Sequence, residues 1–268
     1  MKREYIQGLP CKGNQDDGDA LLWGGLMYAS GEDVALGILR CEDGKSEFFR
    51  SPLRRESADK GVSMINSFSR DMATGLSLAA IKANTTQFGS QVLGAYCRWV
   101  DFTLKNGCKA CKNDTDGRCV MTPGIYWMAL EANCRAVPLI YKLTRFLHEP
   151  YLWFAARLNK PGFQLHLVGV TLFALVVARG GRNNLSGIAK SAVRKLTIRQ
   201  PENPFFAWLA KDDERSAALL AIVKSHIALN GQGDMDQWAW ERADEEHAWK
   251  SSCGHDVVFI ENLLKSDL

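Results

Sequence analysis

Helical punctuation repeated along the chain is the feature that most constrains its fold. Apolar-periodic stretches of about 10 to 18 residues recur about every 15 to 25 residues, each closed by Gly, Asn-Gly or Pro. Residues 19–30 place Asp19, Leu22, Trp23 and Leu26 at the i, i+3, i+4, i+7 positions of one helix face and stop at Gly31. Ser69 is the expected N-cap of a helix over 69–83, with Asp71 in its first turn. A third helix covers 86–105 and ends at Asn106-Gly107. Pro123 opens a helix running to Ala132, Pro138 opens one running to His148, and Pro150 and Pro161 punctuate two more. Residues 213–229 form an amphipathic helix whose apolar side is read as Leu219, Ile222, Val223, His226 and Ile227, and 255–265 close the chain. Strand-like patterning is confined to 34–39 and 163–168.

The run 163–178 is the most apolar in the chain, yet it spans only 16 residues and contains Gln164 and His166. A bilayer-spanning helix wants about 20 mostly apolar residues, so this run is expected to be the buried central helix of the domain, with no membrane span. The pattern predicts an all-α fold: a single domain over 1–268 made of antiparallel helix pairs in a compact or partial (α/α) barrel, with a Cys-containing loop at 106–121. Small residues at Gly24-Gly25, Gly75, Ala79-Ala80, Ala155-Ala156 and Ala217-Ala218 allow close backbone approach between paired helices. No fixed-period repeat is present, which argues against a TPR or HEAT array.

Composition sets the outer limits. With 46% hydrophobic residues in 268, the chain can bury a full core, and a disordered or low-complexity chain is excluded. Its 33 Lys+Arg against 30 Asp+Glu leave a net charge of +3 with no polybasic tail, so neither nucleic acid nor an anionic membrane is the default partner. The first five residues carry charge with no apolar run behind them, so no cleavable secretory signal is expected, and the compartment stays open. The two outliers are 8 Trp and 8 Cys.

Four groups of residues can carry chemistry. Asp16, Asp17 and Asp19 lead directly into the helix with Trp23; carboxylates there cap a helix, but Asp19 shares its face with Leu22, Trp23 and Leu26 and should point inward. An inward carboxylate beside an aromatic ring is costly unless it is paired or used. Ser69-Arg70-Asp71 starts a second helix, where Asp71 shares a small, partly polar strip with Thr74, Gly75 and Leu78. Two such helix starts could supply a general acid and a general base, provided their carboxyl groups lie within about 12 Å. Third, Trp238, Trp240 and Trp249, with Glu241, Arg242 and His247, could wall a site for a sugar, although Glu241 beside Asp244 and Glu245 also reads as a solvated acidic face. Under the latter reading Trp238, Arg242 and Trp249 seal the C-terminal segment to the core.

The segment Asp17-Gly-Asp19-Ala-Leu-Leu-Trp23-Gly-Gly-Leu26, the start Ser69-Arg70-Asp71-Met72 and the helical chain around them resemble the (α/α)-toroid carbohydrate-active enzymes. The resemblance covers short motifs, and the chain is short for a complete six-hairpin toroid. It implies a glycoside hydrolase or lyase acting on a polysaccharide or oligosaccharide, with Asp19 and Asp71 as the acid/base pair and Asp17 as an accessory group. Trp23, Arg70, Trp238 and Glu241 would then bind the substrate, and no cofactor would be required. The competing expectation is a non-enzymatic helical interaction or assembly module, such as a phage or bacterial structural component, in which the Cys108 to Cys119 loop is a metal or disulfide clip, the acids are caps and the tryptophans are core or interface.

The fourth group is Cys108, Cys111 and Cys119. A C-x2-C pair with a third Cys can hold a structural zinc, with Cys97, Cys134 or His148 as fourth ligand, but disulfides and free thiols suit the same spacing. Arg50, Arg54 and Arg55 form a local basic patch, read as a solvated loop. Dinucleotide, Walker-A, H-E-x-x-H and G-x-S-x-G motifs are absent, which disfavours nucleotide-driven and ordinary serine-hydrolase chemistry.

Overall fold

A computed structural model describes residues 5–6, 8–10, 19–61, 68–86, 89–106, 120–230, 238–241, 252 and 254–268. The fold is all-α: thirteen α-helices and one two-stranded ribbon among the described residues. Its contacts divide the chain into two compact units, Glu4–Arg145 and Phe146–Leu268.

In the N-terminal unit the ribbon pairs β1 (Tyr5–Ile6) with β2 (Leu9–Pro10), and α1 (Ala20–Ser30), α2 (Ala35–Leu39), α3 (Pro52–Asp59), α4 (Arg70–Asn84), α5 (Ser90–Asn106), α6 (Pro123–Glu131) and α7 (Leu139–Leu143) follow. Nearly every side chain of α1 is buried, from Ala20 to Met27, so this helix is the unit's centre and has no solvent face to read. Glycines explain its closest contact. A Cβ on Gly25 would lie 2.0 Å from the Gly75 carbonyl oxygen, and one on Gly75 would lie 2.4 Å from the Leu22 Cα, so α1 and α4 meet backbone to backbone. α4 in turn packs on α5 and α6. A buried Tyr96 hydroxyl on α5 meets Ser77 Oγ on α4 at 2.8 Å, and Cys97 on α5 is disulfide-bonded to Cys134, just beyond α6.

Two sequence expectations fail here for local reasons. Residues 34–39, read as strand-like, form the short helix α2, whose Gly37 lies against the Gly8 backbone where any Cβ would collide. The Phe48 to Gly61 stretch, read as the loop that carries Arg50, Arg54 and Arg55, contains α3: Ser51 Oγ accepts the Arg54 N–H at 3.2 Å and Pro52 supplies a ready-made first turn.

The C-terminal unit holds α8 (His148–Leu158), α9 (Phe163–Ala178), α10 (Gly187–Arg199), α11 (Pro204–Leu209), α12 (Asp213–Asn230) and α13 (His255–Lys265). α9 is the expected central helix, buried on nearly all sides, and 163–168 belongs to it rather than to a strand. Its Gly169 lets the Phe205 and Phe206 rings of α11 approach. Phe173, Phe205, Trp208, Trp238 and Phe259 pack edge to face or tilted at 5.1 to 5.9 Å, which makes an aromatic centre for the unit. Pro150 does not precede α8 but sits in its first turn, where a missing N–H costs nothing.

Candidate functional site

The helices that carry Asp19 and Asp71 at their starts, α1 and α4, are the pair locked by Gly25 and Gly75. Asp19 occupies the N-cap position of α1, with φ −95° and ψ 41°, but its side chain makes no capping hydrogen bond. Its Oδ1 instead accepts a hydrogen bond from Arg50 Nη1 at 2.7 Å, with the two side chains only 21% and 19% exposed. This is a charge-assisted contact between residues 31 apart in sequence, sheltered from much of the solvent screening that weakens surface pairs.

Asp71 lies in the first turn of α4, half-buried, where a carboxylate complements the helix dipole. Ser69 holds the N-cap position but makes no capping hydrogen bond through its side chain, and Thr74 bonds back to the Arg70 carbonyl at 2.9 Å. Arg70 is likewise half-buried. Asp16 and Asp17 lie outside the described residues, as do Cys108, Cys111, Cys119, Arg242, Asp244, Glu245, His247 and Trp249.

The aromatic residues expected to stack on substrate are placed differently. Trp23 is 1% exposed and Trp238 0%, so neither presents a ring face to solvent; both are core. Asp19, Trp23, Arg70 and Asp71 belong to the N-terminal unit, while Trp238 and Glu241 belong to the C-terminal one.

Glu241 is not on a solvated acidic face. It is buried, with Oε1 3.0 Å from Nε2 of the equally buried His166 on α9, and Oε2 accepting the Trp238 N–H at 3.2 Å. The 3-10 turn Ala239–Glu241 is held further by Gln200 Nε2, which donates to the Trp240 carbonyl at 3.2 Å. Phe205 and Trp238 flank the imidazole at 5.9 and 6.2 Å. This pair escaped the sequence reading, yet a signal existed. A histidine inside an otherwise apolar buried helix must find a polar partner, and a carboxylate wedged among tryptophans is a natural one. Asp256 is also fully buried and engaged: its Oδ1 accepts from Ser252 Oγ at 2.7 Å and from the Val257 N–H at 2.8 Å, which satisfies the start of α13.

No protein-family model, no curated protein and no solved structure matches the chain. The site therefore has to be read from its own chemistry. Cys97 and Cys134, offered by the sequence as outside ligands for a zinc site, are bonded to each other, and His148 is buried in the C-terminal unit. Among the described residues, no three or more His, Cys, Asp and Glu side chains converge to hold a metal ion. Likewise, no described helix is long and apolar enough to cross a membrane.

Proposed function

We propose that the chain is a glycan-degrading enzyme, a glycoside hydrolase or polysaccharide lyase of partial (α/α)-toroid type, acting where α1 and α4 begin. The observation that supports this reading is the behaviour of Asp19. It stands where a carboxylate ordinarily caps a helix, yet it leaves that role and is held by Arg50 instead. In the proposed mechanism the Arg50-bound Asp19 serves as the ionised base or nucleophile. Asp71, on the neighbouring helix, serves as the acid that protonates the leaving oxygen. Arg70 supplies a donor for substrate hydroxyl or carboxylate groups. Trp23 and Trp238 carry no stacking role in this version, since both are core.

The test is a depolymerisation screen on neutral and acidic polysaccharides with the native chain, Asp19→Asn and Asp71→Asn. Turnover should fall by a factor of about 10² to 10⁴ in each variant with the fold intact. Turnover that is unchanged in both variants overturns the assignment.

A second reading, a non-enzymatic helical interaction or assembly module, is favoured by the burial of the tryptophans. It requires that the native chain release no product from any glycan in the same screen.

A further inference from the structure

α8 carries two apolar faces where a surface helix needs one. His148, Leu152 and Ala156 recur at i, i+4, i+8 and are buried against the unit. On another side, Leu147, Tyr151, Phe154 and Leu158 recur at i, i+4, i+7, i+11, within about 60° of arc, and are 42%, 53%, 55% and 73% exposed. Isolated exposed apolar side chains are ordinary; a stripe of four at helical spacing marks a surface that something covers.

Charge says what covers it. Residues 146–199 contain eight Lys and Arg and one acid, Glu149, while 200–268 of the same unit hold six Lys and Arg against thirteen Asp and Glu, so the positive charge is local to the stretch that builds α8 to α10. Two of the cations are already paired, Arg179 with Glu149 and Arg182 with Asp213, and Glu149 also accepts from Ser186. Arg157 and Lys160 beside the stripe are exposed, as are Lys190 and Arg194 on α10, the helix that packs on α8. Two copies meeting through this face would set like charges against each other. A nucleic acid would meet the cations but would leave Leu147, Phe154 and Leu158 without a use. An anionic lipid surface satisfies both features, with headgroups for the cations and the acyl boundary for the apolar stripe.

We infer that the α8 face of the C-terminal unit docks peripherally on anionic lipid bilayers, with Leu147, Phe154 and Leu158 entering the interface and Arg157 and Lys160 at headgroup level. The test is co-sedimentation of the full chain with phosphatidylcholine vesicles, with and without about one quarter phosphatidylglycerol. The chain should bind the anionic vesicles and not the neutral ones, and about 0.5 M salt should release it. Phe154→Ser with Leu158→Ser, and separately Arg157→Glu with Lys160→Glu, should each weaken partitioning by about tenfold or more while leaving the circular dichroism spectrum unchanged. The inference is overturned by no vesicle binding by the native chain, by binding of both double variants as tight as the native chain's, or by retention on an oligonucleotide of a chain that ignores the vesicles. A dimer that forms without vesicles and is dispersed by Phe154→Ser with Leu158→Ser assigns the stripe to a second copy and overturns it equally. None of these readouts depends on glycan turnover.

Discussion

Glu149, in the first turn of α8, joins three helices through one carboxylate. It accepts hydrogen bonds from Arg179 at the end of α9 and from Ser186, whose own oxygen caps α10 by accepting the Ala189 N–H at 3.2 Å. Burial pushes the carboxyl group up, but the Ser186 and Arg179 hydrogen bonds, with the Arg179 charge and the nearby His148, outweigh it and hold the group below its ordinary value of 4.5. A carboxylate lowered in the folded state contributes stability that is complete above its unfolded value and is lost as pH falls through the folded one. Glu149→Gln should therefore lower stability at neutral pH, where the contribution is complete, and flatten the acid limb below about pH 4.5, so that the two chains converge as the native carboxylate protonates. Urea midpoints measured from pH 7 down to about pH 3 check this; an acid limb as steep as in the native chain contradicts it.

Among the elements, α12 shows most clearly what periodicity can and cannot settle. The helix forms where the pattern puts it, but its buried residues are Ser216, Leu220 and Val223, whereas Ile222 is half exposed. The face is set by Ser216, whose hydroxyl donates to the Pro204 carbonyl at 2.9 Å and turns the helix toward α11. A hydroxyl bonded to a carbonyl twelve residues away leaves no trace in an apolar count. Leu220→Ala should cost about 2 to 4 kcal/mol and Ile222→Ala less than about 1. Equal losses in denaturant unfolding would put the face where the apolar pattern alone puts it.

The same distinction runs through the other helices. α1, α4, α6, α9 and α13 begin and end within a residue or two of their sequence readings, because Gly31, Ser69, Pro123 and Gly254 punctuate locally. The helix starting at His148 did not, because a proline in a first turn and a proline before a helix look alike until the backbone is seen. The site was half legible in the same sense. Asp19 and Asp71 stand at the helix starts where the sequence puts them, but the Arg50 contact and the His166–Glu241 pair join residues far apart in the chain, which no spacing rule reaches.

For the molecule as a whole, net charge concealed the most. A total of +3 reads as balanced only because the +7 stretch at 146–199 is offset by acids elsewhere, and it is the helices of that stretch that carry the exposed apolar stripe. The second long-range constraint is covalent. The Cys97–Cys134 bond joins residues 37 apart and narrows the unfolded chain's conformational freedom, so Cys97→Ser with Cys134→Ser should lower stability by about 2 to 4 kcal/mol. The native chain, with 8 Cys and one bonded pair among the described residues, should give no more than six thiols on titration after denaturation. Seven or eight titratable thiols would show that the bond is not formed.

That bond also turns the stretch from 98 to 133 into a closed ring with both ends fastened. A protease that cuts anywhere inside it yields two fragments that still migrate as one band, and they part only when a reductant is added to the gel.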